Sequence, residues 1–238
     1  MKVLIVGAAG YVGSIVRPAL EQQHECSYFD RETITGVGDR QYLGDVNDDN
    51  LVKRATYEVQ GIIYLALGVR PGSKKDVQDI DQAFAVNVTG YYRFLKSGLA
   101  AGASHIIYAS SLSVYDRPTR RRGLDERTPP DEFEPYGLSK RMGECLGEAA
   151  AHRYPETTIM ALRLSFPRNQ SDWDTFKQRA DFKTFYALGP KDVQRLFLAA
   201  MAFKMLGFYA INATGDQRGE HFPNSEASKL LGWYPRGE

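Results

Sequence analysis

The chain has 238 residues, of which 43% are hydrophobic and 25% charged, and its formal net charge is +1. That balance suits a folded α/β protein with a sizeable core and excludes a disordered chain. A charge so near zero also sets up no field that would recruit nucleic acid or an anionic membrane surface.

In chain order, strand and helix patterns alternate. "KVLIV" (2–6) is a continuous apolar run closed by glycine, the pattern of a parallel strand covered on both faces. It leads directly into a glycine motif, with no small-residue cleavage site, so it does not read as a signal peptide. A helix is expected over 11–23, with Pro18 inside it. "CSYFD" (26–30) and "QYLGDV" (41–46) read as the second and third strands, and "GIIYLAL" (61–67) as the fourth. A long helix is expected over 76–101, "HIIYASS" (105–111) as strand five, a helix over 136–153, and "TIMALRL" (158–164) as strand six. An apolar helix at 192–205, a strand at 208–215 and a short helix at 224–232 complete the chain. No run is apolar for long enough to span a membrane.

This alternation predicts one doubly wound, mostly parallel seven-stranded α/β sheet with right-handed crossovers, spanning 1–238. Insertions at about 68–82, 112–135 and 165–191 lie where strand ends meet ligands, and they are expected to build a small substrate cap. Cys26 and Cys145 have neither a pair motif nor metal-ligand spacing, which suits a reducing cytoplasm. His24, His105, His152 and His221 show no metal or triad spacing, so no metal is expected. The run "TRRR" (119–122) reads as a solvated surface.

Chemistry concentrates at two places. Gly7, Gly10 and Gly13 follow the first strand and open the first helix, where glycine permits a tight turn and backbone N–H groups approach a pyrophosphate. The spacing is G-x-x-G-x-x-G, so it matches the dinucleotide fingerprint in mechanism and not letter for letter. Asp30 ends strand two, where a carboxylate meets the adenosine ribose and repels a 2′-phosphate. It favours NAD over NADP, although the neighbouring Arg31 offers a guanidinium to adenine or to phosphate.

The second place begins at Ser110 and Ser111, which end strand five on the ligand side of a parallel sheet. Tyr136 opens the next helix, with Lys140 one turn on along the same face. A free tyrosine is too basic to act as a base at neutral pH, and a neighbouring ammonium lowers its pKa toward the working range. Ser111 would orient a reacting hydroxyl or carbonyl, and Lys140 could also hold the nicotinamide ribose.

"GAAGYVG", "GDV" (44–46), "NVTG" (87–90), "YASSLSVY" (108–115), "PYGLSK" (135–140) and "LGWYP" (231–235) together resemble the extended short-chain dehydrogenase/reductases, the NAD-dependent epimerase/dehydratase family, with its Rossmann fold. The resemblance implies that Tyr11 and Val12 join the glycines at the cofactor. Asp45 and Val46 would border the adenine, and Leu65, Ala66 and Leu67 the ribose and phosphates. Asn87 would lie on the strand-four side, and Leu164 and Ser165 near the nicotinamide. It implies Ser111, Tyr136 and Lys140 as the catalytic set and a dimer through the helices at 76–101 and 136–153.

The short layout after strand six resembles the uronate dehydrogenases, which oxidise a free hexuronic acid with NAD. Val69, Arg70, Ser111, Leu112, Ser113, Phe166 and Arg179 would then face a small carbohydrate. Leu112 and Ser113 stand where those enzymes typically have Asn and His. The arginine for a carboxylate could be Arg179, Arg168 or Arg70. The alternatives are a sugar-nucleotide 4-epimerase or dehydratase holding NAD tightly, and a non-catalytic dinucleotide sensor.

Overall fold

The apolar run at residues 2–6 becomes β1 (Lys2–Val6), and its alternate side chains divide between two cores. The computed structural model describes residues 1–68, 80–178 and 186–238. Within them β1 is joined by β2 (Glu25–Asp30), β3 (Gln41–Leu43), β4 (Gly61–Tyr64), β5 (His105–Ser111), β6 (Thr158–Leu164) and β7 (Gly207–Ala213). The sheet order is β3-β2-β1-β4-β5-β6-β7, and every pairing is parallel. The direction of winding therefore reverses between β1 and β4, which opens a crevice above their C-terminal ends.

One face of the sheet packs Val3 and Ile5 against α1 (Tyr11–Leu20), α7 (Pro190–Ala202) and α8 (Ser225–Leu231), through Ile15, Val16, Leu196 and Phe197. The other packs Leu4 and Val6 against α2 (Asp49–Ala55), α4 (Tyr91–Ala100) and α5 (Pro135–Arg153), through Val52, Phe94 and Leu95. A third, smaller cluster of Leu112, Val114, Tyr115, Leu124 and Phe222 lies beyond the end of β5 and forms the core of a cap.

The elements differ from the sequence expectation in several places. β3 stops at Leu43, so Asp45 and Val46 lie in the turn that follows, where Asp45 Oδ1 accepts from Asn47 N at 2.8 Å. β4 stops at Tyr64; Leu65 N still reaches Val6 O at 2.7 Å before the chain leaves the sheet. The helix expected over 76–101 is described from Ile80 as three pieces: α3 (Ile80–Phe84), a π-helical segment (Ala85–Gly90) and α4. α1 ends at Leu20, two residues after Pro18. Among the described residues two α-helices have no counterpart in the sequence pattern. Asp48 starts α2 by accepting from Asn50 N and Leu51 N, and Asn169 starts α6 (Gln170–Lys177) by accepting from Asp172 N.

Candidate active site

Gly7 lies at the end of β1 with φ +81°, and a Cβ there would sit 2.5 Å from Ala66 N. The chain thus turns tightly between β1 and the end of β4. Gly10 is the N-cap of α1, with no side-chain cap and no acidic residue in the first turn, so the helix N-terminus is open to an anion. Asp30 Oδ2 accepts from Ala9 N at 2.7 Å, which fastens the glycine loop to the end of β2. An open helix N-terminus, a loop with no side chain larger than methyl and a carboxylate beside it fit the pyrophosphate and ribose of a dinucleotide. Arg31 is exposed next to Asp30, and Val46 packs under the π-helical segment.

A cavity of about 470 Å³ opens beside α1. Tyr11, Val12, Leu65 and Leu67 line one side of it, and Ser111, Leu112, Ser113, Tyr136 and Lys140 are also in its wall. Leu164, Ser165 and Phe166 contribute from the end of β6. Phe166 has φ +41°, a conformation that costs energy for a bulky residue and that tends to occur at functional sites. Of the other cofactor candidates, Gly7, Gly10, Gly13, Asp30, Arg31, Asp45, Val46, Ala66 and Asn87 are not part of this wall. Val69, Arg70 and Arg179 lie outside the described residues.

Asn87 stands behind the wall as a brace. It is buried; its Oδ1 accepts from Gly68 N at 3.1 Å and its Nδ2 donates to Ser139 Oγ at 2.9 Å. Ser139 Oγ in turn donates to Tyr136 O at 2.7 Å. The π-helical segment thereby ties the loop after β4 to the first turn of α5.

Lys140 is buried and its Nζ donates to Ala109 O at 2.7 Å, with the ring of Tyr108 4.9 Å away. Burial pushes its ammonium down from 10.5 to about 7, against the pull of Glu144 in the opposite direction. Ser111 Oγ accepts from Ser113 N at 3.1 Å, which leaves its O–H to donate elsewhere.

Sequence reasoning missed several residues of the wall, among them Thr119, Asp172, Tyr186 and Phe222. The Tyr11 hydroxyl donates to Asp172 Oδ2 and accepts from Asn169 N at 3.0 Å, so α6 is latched to the start of α1. Burial and Asp172 raise the pKa of Tyr11. Arg168, one of the three arginines left open for a carboxylate, lines the cavity with its Nε buried and without a hydrogen-bond partner.

A parallel sheet with a glycine loop at its winding reversal and a Ser–Tyr–Lys wall beside it defines a dinucleotide-dependent class of protein. Residues 3–168 match the NAD dependent epimerase/dehydratase family, and the chain belongs to that family. Uronate dehydrogenase of Pseudomonas syringae pv. tomato is 26% identical over 236 residues, covering 96% of this chain and 80% of that one. UDP-glucose 4-epimerase of Neisseria meningitidis serogroup C is 26% identical over 181 residues, 70% of this chain and 53% of that one. Among solved structures, a glucuronic acid dehydrogenase from Chromohalobacter salexigens has a TM-score of 0.81 at 26% identity, over 99% of this chain and 84% of that one.

Proposed function

We propose that the protein is an NAD-dependent oxidoreductase that oxidises a small free sugar acid of the uronate type. The observation that carries this reading is one cavity whose wall holds Ser111, Tyr136 and Lys140 together with the first residues of α1. Its volume, about 470 Å³, suits a small ligand. NAD, when bound, supplies the hydride acceptor. Tyr136 takes the proton of the reacting hydroxyl, with the Lys140 ammonium stabilising the phenolate. Ser111 donates its hydroxyl proton to the reacting oxygen and so fixes the carbon beside it. Arg168, in the cavity wall, offers the substrate carboxylate its guanidinium.

Incubation with NAD and a panel of free uronic acids and aldoses tests the reading. A rise in reduced-nicotinamide absorbance with a uronic acid is expected, and no rise with any member overturns it. The likeness to UDP-glucose 4-epimerase favours a second reading, with NAD retained through purification and product formed without net reduced cofactor.

Asp30 gives a separate check on the cofactor. Asp30→Ala removes the ribose acceptor and frees Ala9 N, so NAD affinity is expected to fall about tenfold, the worth of one charge-assisted hydrogen bond. NADP affinity is expected to hold or improve, and titration of both cofactors measures the ratio.

Among the described residues no helix is long and apolar enough to cross a membrane. We infer a cytoplasmic enzyme that dimerises through α4 and α5, whose outer faces expose Tyr92 and Met142. The division into one dinucleotide-binding domain over 1–238 with its own cap is likewise our reading, supported by the third core cluster.

A further inference from the structure

Directly behind Lys140 lies a buried ion pair that the chemistry above does not use. Glu144 follows Lys140 by one turn of α5 and pairs with Arg163 of β6, the two side chains being 7% and 4% exposed. Both oxygens of its carboxylate are taken up. Ser110 Oγ donates to Oε1 at 2.6 Å, Arg163 Nε to Oε1 at 2.9 Å, and Arg163 Nη2 to Oε2 at 2.7 Å. Arg163 Nη1 donates to the Tyr115 hydroxyl at 2.5 Å, and that hydroxyl donates to Asp125 O at 3.0 Å. One connected network therefore joins α5, β5, β6 and the cap.

Its position relative to the cavity is what gives it consequence. Three successive residues of β5 meet three different partners: Ala109 O takes the lysine, Ser110 takes Glu144, and Ser111 faces the cavity. Glu144 thus bonds to the residue that stands between the acceptor of Lys140 and the cavity serine. The groups around Lys140 are few in kind. Its own helix supplies Tyr136 and Glu144; β5 supplies the Tyr108 ring and the two serines; β6 supplies Arg163. Tyr64 and Tyr91 lie behind Tyr108, all three held neutral because burial raises their pKa, and Tyr115 and Glu126 lie beyond Arg163. In so poorly solvated a setting a carboxylate one turn from an ammonium acts strongly.

We propose that Glu144, clamped by Arg163 and Ser110, is a positioning residue that keeps Lys140 charged and holds its helical turn against the end of β5. This rests on the reading of Ser111, Tyr136 and Lys140 as a hydride-transfer site and adds the group that sets it. The sign follows from the forces on Lys140: burial lowers its pKa and Glu144 raises it, with the balance at about 7. Removing the carboxylate charge lowers it further. A neutral lysine no longer stabilises the Tyr136 phenolate, so the acid limb of the oxidation moves to higher pH.

Lysine labelled with 13C, with the Lys140 signal assigned by its loss in Lys140→Met, reads this directly by NMR titration and needs no substrate. Glu144→Gln is expected to lower the Lys140 midpoint by about one pH unit, and Glu144→Asp to keep it within a few tenths of the original. With a uronic acid substrate, the acid limb of kcat in Glu144→Gln moves up by a comparable amount while KM changes little. An unmoved midpoint in folded Glu144→Gln overturns the proposal and leaves Glu144 a brace. A shifted midpoint without oxidation in any variant supports the role of Glu144 and counts against the functional reading instead. Should Glu144→Gln fail to fold, Ser110→Ala decides: it strips one donor from the carboxylate and leaves more of its field for Lys140. The midpoint then rises, and no change or a fall overturns the proposal.

Discussion

Tyr136→Phe is expected to lower kcat for oxidation on the order of 10³-fold, the usual weight of a positioned general base. Local folding fixes the tyrosine tightly. Glu134 is extended, Pro135 opens α5, and Leu138 N closes the first turn on Glu134 O at 2.8 Å. Gly137 allows that turn to lie against the backbone after Ser111, since a Cβ there would sit 1.9 Å from Ser113 O. The substituted phenyl ring keeps the packing of the original and loses only the group that accepts the proton. Melting temperature and NAD affinity are therefore expected to stay near those of the unaltered protein, because the glycine loop and Lys140 are untouched. Initial rates with NAD and a uronic acid, beside a thermal melt, separate the two effects. A Phe variant within tenfold of the original kcat would point to another base, and no turnover by either protein would favour a non-catalytic dinucleotide sensor.

The two halves of this site were unequally legible in the sequence. β5 and β6 match the expected 105–111 and 158–164 because every residue of each is buried, so the apolar run and the strand coincide. Glycine spacing and the tyrosine–lysine pair are local patterns; the cavity wall holds Tyr136 and Lys140 with Tyr11 and Val12 of the glycine motif, while the three glycines themselves lie outside it. Patterns fail where the partner is distant. Tyr11 meets Asp172 across 161 positions, and α6 holds to the body through Trp173, its one buried side chain, so residues 165–191 read as a loop. α2 is seven residues long with only Val52 and Ala55 buried, too little periodicity to register beside its Asp48 cap. Arg163 lies inside the apolar run "TIMALRL", where nothing nearby pairs it with a glutamate on the preceding helix. β3 and β4 are shorter than the apolar pattern predicts, because residues such as Val46 and Leu65 stay buried after the ladder ends.

Gly7→Ala is expected to damage the fold and cofactor binding together. Its φ of +81° costs an L-residue about 1–2 kcal/mol. Its Cβ would also stand 2.5 Å from Ala66 N and 2.7 Å from Leu65 C, backbone atoms that cannot rotate aside, for roughly 1–3 kcal/mol more. Three contacts resist any relief by movement: Gly7 N donates to Phe29 O at 2.8 Å, Gly10 N to Gly7 O at 3.1 Å, and Leu65 N to Val6 O at 2.7 Å. β1, β2 and the end of β4 are thus fastened to one another around this residue. Together the costs imply a fall in Tm on the order of 10 °C for a chain of this length. Displacement of the α1 N-terminus carries NAD affinity down with it, by more than about tenfold. Gly102→Ala is the matched control, because Gly102 has φ +94° and nothing within 4 Å of the added carbon. It bears only the backbone strain and lies away from the cavity wall, so its Tm is expected to fall by only a few degrees, with NAD binding unchanged. The difference between the two melts isolates the close approach of the β1 turn to the β4 loop. Equal melts, with equal NAD affinity, would mean that the two backbones do not meet at Gly7.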